Sequence, residues 1–210
     1  MEITHRQVAA TGGQDRFALL CNEHRFLFIL ADGAGGTVGG ALAATLVCDL
    51  ALRHAEEPGL VDWSQVLQEI DETLGAHPEA GWSTGVIVEV YDGEVRGASV
   101  GDSAAWLLSG GGVENLTQYQ RRKPMLGTQQ SLPVYFGPYD ASDRILLMGS
   151  DGLFGCAKQT SIERCLHMHA TNLEGCANAL AELATLPSGE FSDDFTLLLA
   201  KFGVGEVGGS

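Results

Sequence analysis

Basic residues are scarce in this sequence. Its 210 residues include 12 Lys and Arg against 27 Asp and Glu, so the formal net charge at neutral pH is −15. Proteins that bind nucleic acids hold the phosphate backbone with clustered Lys and Arg side chains. The acidic balance therefore argues against a nucleic-acid partner. It favours a soluble protein that gathers carboxylates to hold cations.

Paired cysteines and membrane signals are also missing. The five cysteines are an odd number without a C-x-x-C pair, which predicts free thiols and argues against a zinc site or a disulfide framework. The first residues lack the apolar segment of a signal peptide, and no uninterrupted apolar run reaches the length of a membrane span. We therefore expect a cytoplasmic protein that does not contact a membrane.

The length and the hydrophobic content of 45% fit one compact domain. We expect this domain to span residues 1–203 and to be followed by a flexible tail at 204–210. No internal repeat is visible, and we expect a monomer.

Apolar spacing predicts the helices. A largely buried helix is expected at 41–54. One apolar face predicts a second helix that begins after Asp62, which can cap it, and ends near Gly75. A third helix is expected at 161–169. Thr171 and Glu174 have the spacing of a capping box, which predicts a fourth helix running to about residue 186.

Short β-branched and apolar runs predict the strands. The Asp92-Gly93 pair between two such runs is typical of a hairpin turn. Strands are predicted at 25–31, 84–91, 94–100, 106–108, 113–116, 143–149 and 195–202. Residues 117–142 hold three of the six prolines and predict a long loop or flap. Hairpins favour antiparallel sheets, and the helices must cover their outer faces.

Four short motifs each place a carboxylate beside turn-forming residues at the end of an apolar strand. They are Asp32-Gly33, Gly101-Asp102-Ser103, Ser150-Asp151-Gly152 and Asp193-Asp194. A lone Asp-Gly is most often a plain turn, which is the role we expect for Asp92-Gly93. Four acidic turns in one chain instead predict a site for hard divalent cations, which prefer oxygen ligands and can activate water for attack on a phosphoryl group.

The acidic motifs and their surroundings resemble a known family. The segments ADGAGG (31–36), WSTGV (82–86), VGDSAAWLL (100–108), LLMGSDGLF (146–154) and DDFTLLL (193–199) are similar, in the same order, to the motifs of the type 2C protein phosphatases. These are metal-dependent Ser/Thr phosphatases, here in a compact bacterial form. The resemblance implies an α+β fold: an α-β-β-α four-layer sandwich with two central antiparallel sheets flanked by helices. It also implies hydrolysis of phosphoserine and phosphothreonine on proteins by a water that bridges two Mn²⁺ or Mg²⁺ ions.

The resemblance also assigns site residues. The implied metal ligands are Asp32, Gly33, Asp102, Asp151 and Asp193. Asp32 matches the bridging ligand, and Gly33 offers its carbonyl to one metal. Asp151 and Asp193 match the ligands of the other metal, and the three aspartates act catalytically through the metal-activated water. Asp102 matches a third, weaker metal position.

The N-terminal motif departs from the family pattern. Type 2C phosphatases usually carry an Arg on the first strand that binds substrate phosphate, followed by an acidic pair that supports the metal waters. Ala10 stands at the Arg position here, and Gln14 replaces one acid, whereas Asp15 is retained. A methyl group does not replace a guanidinium. Arg6 or Arg16 in a shifted register is the candidate phosphate contact, and the alternative for each is a solvated surface residue.

Two further features lie beside these motifs. Asp194 stands where the family usually has Asn, so we treat it as a neighbour of the ligands. The basic cluster at 121–123 would attract a phosphorylated protein segment, or it is a solvated loop.

The expected partners are a phosphorylated protein substrate and a cognate Ser/Thr kinase system. The missing Arg motivates an alternative function: a catalytically weak or inactive relative that regulates phosphoproteins by binding them.

Overall fold

Two five-stranded antiparallel sheets face each other in the computed structural model, which describes residues 1–10, 12–22, 25–34, 37–56 and 59–203. The tail expected at 204–210 lies outside these residues, as do Gly35 and Gly36 of the first acidic motif.

The strands follow one another along the chain in hairpins and longer connections. In chain order they are β1 (Glu2–Val8), β2 (Arg16–Cys21), β3 (Arg25–Ala31), β4 (Gly33–Ala34), β5 (Trp82–Ser83), β6 (Gly85–Tyr91), β7 (Glu94–Val100), β8 (Ala104–Ser109), β9 (Gly112–Asn115), β10 (Val134–Asp140), β11 (Ile145–Gly149) and β12 (Phe195–Lys201). One sheet has the order β1-β12-β11-β8-β9, and the other has the order β10-β7-β6-β3-β2. Strands β4 and β5 pair separately.

The helices lie on the outer faces of the two sheets. They are α1 (Thr37–Ala55), α2 (Trp63–Ala76), α3 (Asp151–Phe154), α4 (Gln159–Met168) and α5 (Leu173–Ala184). Helices α1 and α2 pack on the sheet that contains β3, whereas α3 and α5 contact β12 and α4 packs on α5. The predicted four-layer α-β-β-α sandwich is therefore confirmed.

Strand β3 shows why a continuous apolar run suits this fold. Leu27 and Ile29 point into the core beneath α1 and α2, whereas Phe28 and Leu30 point into the core between the two sheets. Successive side chains alternate between the faces of a strand. Because both faces of this sheet are covered, both sets of side chains are apolar. A third core lies between the other sheet and α4 and α5.

Helix α1 is long and apolar enough, by length and composition alone, to cross a membrane over Val38–Ala55. Asp49 and Arg53 interrupt the apolar residues of this helix. Ala43, Val47 and Ala51 are fully buried in the core beneath the helix. The helix therefore packs on a sheet, as core helices of this composition do.

The prediction of one long loop at 117–142 is wrong in its second half, because β10 pairs there with β7. Proline lacks a backbone N–H and is confined to edge strands and irregular positions in sheets. Strand β10 is an edge strand, and its register shifts between Phe136 and Tyr139, where Pro138 lies. The remaining residues up to 133 form a loop.

Helix ends also differ from the predictions. Asp62 caps α2 as predicted, since its side chain accepts hydrogen bonds from the backbone N–H groups of Ser64 and Gln65, but α2 continues one residue past Gly75. Asn172 caps α5 by accepting a hydrogen bond from the Gly175 N–H. The capping box predicted for Thr171 and Glu174 is therefore wrong, and α5 ends at Ala184 rather than near residue 186.

Strands β1 and β2 had no counterpart in the sequence prediction. Both are edge strands, and β1 is mostly exposed and polar. An exposed edge strand needs no apolar alternation, so its sequence carries little signal.

Candidate metal centre

The four acidic motifs lie at the ends of strands or directly before the next helix or strand, and they come from both sheets. All four meet at one side of the sandwich. Asp32 follows β3, Asp102 follows β7, Asp151 begins α3 and Asp193 precedes β12. These four aspartates and Gly33 line a single open cleft of about 370 Å³. The structure therefore brings the five implied metal ligands to one place.

Burial and mutual repulsion perturb the carboxyl groups in this cleft. Burial raises the pKa of Asp32 to about 9, and the charges of Asp15 and Asp151 add to that shift. Burial also raises the pKa of Asp151 to about 6, with further contributions from Asp102 and Asp193. Crowded carboxyl groups resist ionisation unless a cation offsets their charge. The arrangement therefore suits a positively charged ligand.

Asp15 interacts with Asp32 and is only 2% exposed. Within the described part of the chain, neither of its side-chain oxygens makes a hydrogen bond of ordinary geometry. Burial raises the pKa of Asp15, and Asp194 raises it further, whereas the nearby Thr196, Ser150 and Asp32 side chains lower it. A buried carboxylate without strong hydrogen bonds is costly, and a divalent cation at Asp32 would stabilise it.

The donor set fits a hard cation rather than zinc. Among residues in the described ranges, the lining of the cleft contains no His or Cys side chain, and no three of its carboxylates form a ready-made ligand group without a cation. Structural zinc sites need closed sets of nitrogen and sulfur ligands. Mg²⁺ takes one or two carboxylates and keeps several waters. An open cleft lined by four aspartates and by Gly33 therefore fits Mg²⁺ or Mn²⁺.

Thr84 and Ser83 hold the backbone of Asp32. The Asp32 N–H donates to the Thr84 hydroxyl at 2.9 Å, and the Thr84 N–H donates to the Asp32 carbonyl at 2.8 Å. The Ser83 hydroxyl also donates to the Asp32 carbonyl, at 3.0 Å. The Thr84 hydroxyl lies 2.8 Å from the hydroxyl of Ser103, the residue after Asp102. The sequence motifs include these residues but do not predict that they hold the Asp32 backbone. That role follows only from the hydrogen bonds between segments that are distant in the chain.

Two glycines allow the backbone to approach closely at the site. A side-chain carbon at Gly33 would collide with the carbonyl oxygen of Gly40 in α1, and one at Gly152 would collide with the carbonyl oxygen of Asp194. Glycine is the residue that permits such contacts. The two acidic turns therefore sit directly against α1 and against the segment that precedes β12.

Asp194 binds the N-terminal loop. Its carboxylate, 4% exposed, accepts hydrogen bonds from the backbone N–H groups of Ala10 at 2.8 Å, Gly12 at 3.3 Å and Gln14 at 2.6 Å. Asp194 does not line the cleft, whereas Gln14 does. This aspartate therefore holds the loop that carries Gln14 and Asp15 beside the acidic cleft.

Neither Arg6 nor Arg16 lines the cleft. The Arg6 guanidinium pairs with Glu174 and donates to the Asn178 side chain on α5. The Arg16 guanidinium donates to Thr45 on α1 and to the carbonyl of Gly13.

The cations that do line the cleft are carried by the loop before β10. Arg122 and Lys123 lie there together with the aspartates. The Arg122 Nε lies 2.7 Å from Oδ2 of Asp102. The basic cluster at 121–123 was visible in the sequence, but its place beside the acidic motifs was not.

Comparisons with known proteins agree with the fold. The family model for stage II sporulation protein E (SpoIIE) matches residues 22–203. A variant of a bacterial serine phosphatase is similar with a TM-score of 0.81 and 24% identity, covering 96% of this chain and 98% of that chain.

Two other solved structures show the same likeness. The catalytic domain of the serine/threonine protein phosphatase PstP, in complex with two manganese ions, has a TM-score of 0.75 and 19% identity over 95% of this chain and 97% of that one. Stp1 from Staphylococcus aureus has a TM-score of 0.75 and 23% identity over 96% of this chain and 94% of that one. No curated protein sequence gives a significant match. The chain belongs to the SpoIIE family and has the fold of the type 2C Ser/Thr phosphatases, as the resemblance implied.

Proposed function

We propose that this protein hydrolyses phosphoserine and phosphothreonine on proteins with Mn²⁺ or Mg²⁺ held at the acidic cleft. The observation that carries the proposal is the gathering of Asp32, Gly33, Asp102, Asp151 and Asp193 along one cleft. The fold and family support it, and so does the presence of two manganese ions in PstP. A Mycobacterium smegmatis phosphatase of this fold, MsPP, forms a complex with cacodylate.

The residues of the cleft have separate roles in this proposal. Asp32 and the Gly33 carbonyl would hold one cation and Asp151 and Asp193 a second, with Asp32 shared and Asp102 available to a third. When bound, the cations would supply activated water and offset charge on the phosphoryl oxygens. Asp15 would act through its interaction with Asp32 rather than by holding a cation itself, and Thr84 would keep the Asp32 backbone in place.

The proposed substrates are phosphoproteins made by a Ser/Thr kinase in the same cell. The cleft is open, so a phosphorylated side chain on a protein surface can enter it. The five cysteines are free thiols, which supports a reducing compartment such as the cytoplasm. We propose that the enzyme acts there as a monomer with one catalytic domain over residues 1–203.

Metal-dependent turnover tests the proposal. We expect hydrolysis of an aryl phosphate and of phosphothreonine peptides with Mn²⁺ or Mg²⁺, and none with a chelator. Asp151→Asn should lower kcat by about 100-fold or more, the scale for loss of one group that contributes to charge stabilisation at a reaction centre. Asp92→Asn, in the turn between β6 and β7, is the matched control and should leave turnover unchanged. Turnover by Asp151→Asn equal to that of the wild type would refute the assignment.

The regulatory alternative has its own support and its own outcome. Ala10 stands where the family carries its phosphate-binding Arg, so binding without turnover is the second candidate. Binding of Mn²⁺ and of a phosphothreonine peptide, measured by calorimetry, without detectable hydrolysis would favour it over the enzyme.

A further inference from the structure

We propose that Arg122 and Lys123 bind the substrate phosphate and replace the Arg that type 2C phosphatases carry on their first strand. This inference rests on the proposed function and names the recognition residues of that site. The two side chains share the cleft with Asp32, Asp151 and Asp193. Among the residues that the structure describes, they are the only Lys or Arg side chains in its lining.

The first strand and its loop do not supply this contact. Ala10 has a methyl side chain, and its N–H donates to Asp194. Arg6 lies against α5, and Arg16 lies against α1. A phosphate dianion that enters a cleft lined by four aspartates meets strong repulsion unless positive charge is present. Arg122 and Lys123 place that charge on the protein itself.

Asp102 orients Arg122 for this role. The Arg122 Nε is engaged by the Asp102 carboxylate at 2.7 Å. A guanidinium carries further N–H donors on its two terminal nitrogens, in a planar fork that matches the oxygens of a phosphate. Arg122 is 75% exposed and Asp102 only 25% exposed. The ion pair therefore ties a solvent-facing guanidinium to the wall of the cleft.

The loop that carries both cations is held at each end. On one side, the Gln120 side chain donates to the Ser103 carbonyl at 2.7 Å, and the Gly101 N–H donates to the Arg121 carbonyl at 3.3 Å. On the other side, Leu126 pairs with Ser83 through two backbone hydrogen bonds.

Helix α2 adds a third attachment for this loop. The carboxylate of Asp71, 3% exposed, accepts hydrogen bonds from the backbone N–H groups of Gly127, Gln129 and Ser131. Gly101 and Ser103 flank Asp102, and Ser83 holds the Asp32 backbone. Two of the three attachments are therefore made to neighbours of residues that line the acidic cleft, so the cations keep their place beside it.

Single substitutions with a matched control test this inference. Arg122→Ala and Lys123→Ala are compared with Arg121→Ala, which removes the same charge one residue away from the cleft lining. Arg122→Lys tests whether a point charge restores binding. We measure kcat and KM on an aryl phosphate and on a phosphothreonine peptide, and the Kd of inorganic phosphate for the Mn²⁺-loaded protein by calorimetry.

We expect each alanine variant in the cleft to raise KM and the phosphate Kd about tenfold, the scale for one lost charge-assisted hydrogen bond. The value of kcat should change less than KM. Arg122→Lys should recover part of the loss, and Arg121→Ala should stay within about twofold of the wild type. A merely structural role of the loop would not produce this split between KM and kcat or the partial rescue by lysine.

Two results would overturn the inference. One is an unchanged phosphate Kd and KM in both Arg122→Ala and Lys123→Ala. The other is a lower KM with tighter Mn²⁺ binding in Arg122→Ala, which would mean that Arg122 only competes with cations for Asp102. If the wild type has no turnover, the proposed function fails, and the phosphate Kd values still decide this inference separately.

Discussion

The carboxylate of Asp194 accepts a hydrogen bond from the backbone N–H of Gln14 at 2.6 Å, between residues 180 positions apart in the chain. Its other oxygen accepts from Ala10 and Gly12. Both oxygens are therefore used to hold one loop. The residue that the family pattern makes an asparagine acts here as an anion that organises the N-terminal segment beside the cleft.

Asp194→Asn should destabilise the protein by about 1–3 kcal/mol, the cost of leaving buried N–H groups unsatisfied. An asparagine has one acceptor oxygen, and its amide group would face the N–H of Gln14 or of Ala10. Urea denaturation measures the change. Asp92→Asn makes the same chemical change in an exposed turn and should alter the free energy of unfolding by less than about 0.5 kcal/mol. Equal stability of the two variants would contradict the role of Asp194.

Binding of Mn²⁺ should stabilise the wild type and not Asp32→Asn. At a free metal concentration of about 100 times Kd, the gain in the free energy of unfolding is about 2.7 kcal/mol. Without metal, Asp32→Asn should be at least as stable as the wild type, because burial raises the pKa of Asp32 to about 9 and makes its charge costly. Thermal unfolding with Mn²⁺ and with a chelator measures both effects. A full metal-induced gain in Asp32→Asn would show that the ion binds elsewhere.

Asp71→Asn should loosen the loop that carries Arg122 and Lys123. Because both Asp71 oxygens accept backbone N–H groups of this loop, we expect a loss of about 1–3 kcal/mol in stability and a higher KM for phosphopeptides. The neighbouring Glu72→Gln, on the exposed side of α2, serves as the control. Hydrogen exchange of the 127–131 amides reports the loosening directly, and protection equal to that of the wild type would contradict it.

Glu174 should contribute stability that depends on pH. A hydrogen bond from Thr4 at 2.7 Å and the contact with Arg6 lower the pKa of Glu174 below its ordinary value of 4.5. A carboxyl group whose pKa is lower in the folded state stabilises that state above the unfolded pKa. The contribution is therefore lost as the pH falls below about 4.5 and through the folded pKa.

Thr4→Val tests this linkage, with Thr160→Val on α4 as the control. The variant should raise the pKa of Glu174 in an NMR titration of its carboxyl carbon. The free energy of unfolding of the variant should also fall less than that of the wild type between pH 5 and pH 3. These two pH values lie about one unit above and below the ordinary Glu pKa. A Glu174 pKa that does not move would mean that Thr4 does not favour the ionised form.

Local sequence patterns were sufficient where neighbours in the chain decide the structure. Strand β3 was predicted with its observed bounds, because its apolar run ends at a turn. The hairpin at Asp92-Gly93 was predicted because both residues tolerate positive φ, and they adopt φ values of 51° and 79°. The cap of α2 at Asp62 was predicted for the same local reason.

Distant contacts decided the features that sequence reasoning missed. Glu174 was expected to take part in the cap of α5, but its side chain instead accepts a hydrogen bond from Thr4 on β1. Strand β10 was hidden among glycine and proline residues, because only pairing with β7 makes it a strand. Arg6 and Arg16 remained open candidates for the phosphate contact, since a sequence does not show which face of a sheet a side chain meets.

The sequence by itself determined the acidic turns, their order and the family to which they belong, because each motif is a short run whose chemistry is local. The tertiary structure alone decided which charges meet. Asp32, Asp102, Asp151 and Asp193 come from separate strand ends, and they line one cleft only because two sheets stack with their ends aligned. Arg122 and Lys123 join them because Asp71 and Ser83 draw a distant loop to the same edge. No spacing along the chain encodes that convergence, since packing between distant segments creates it.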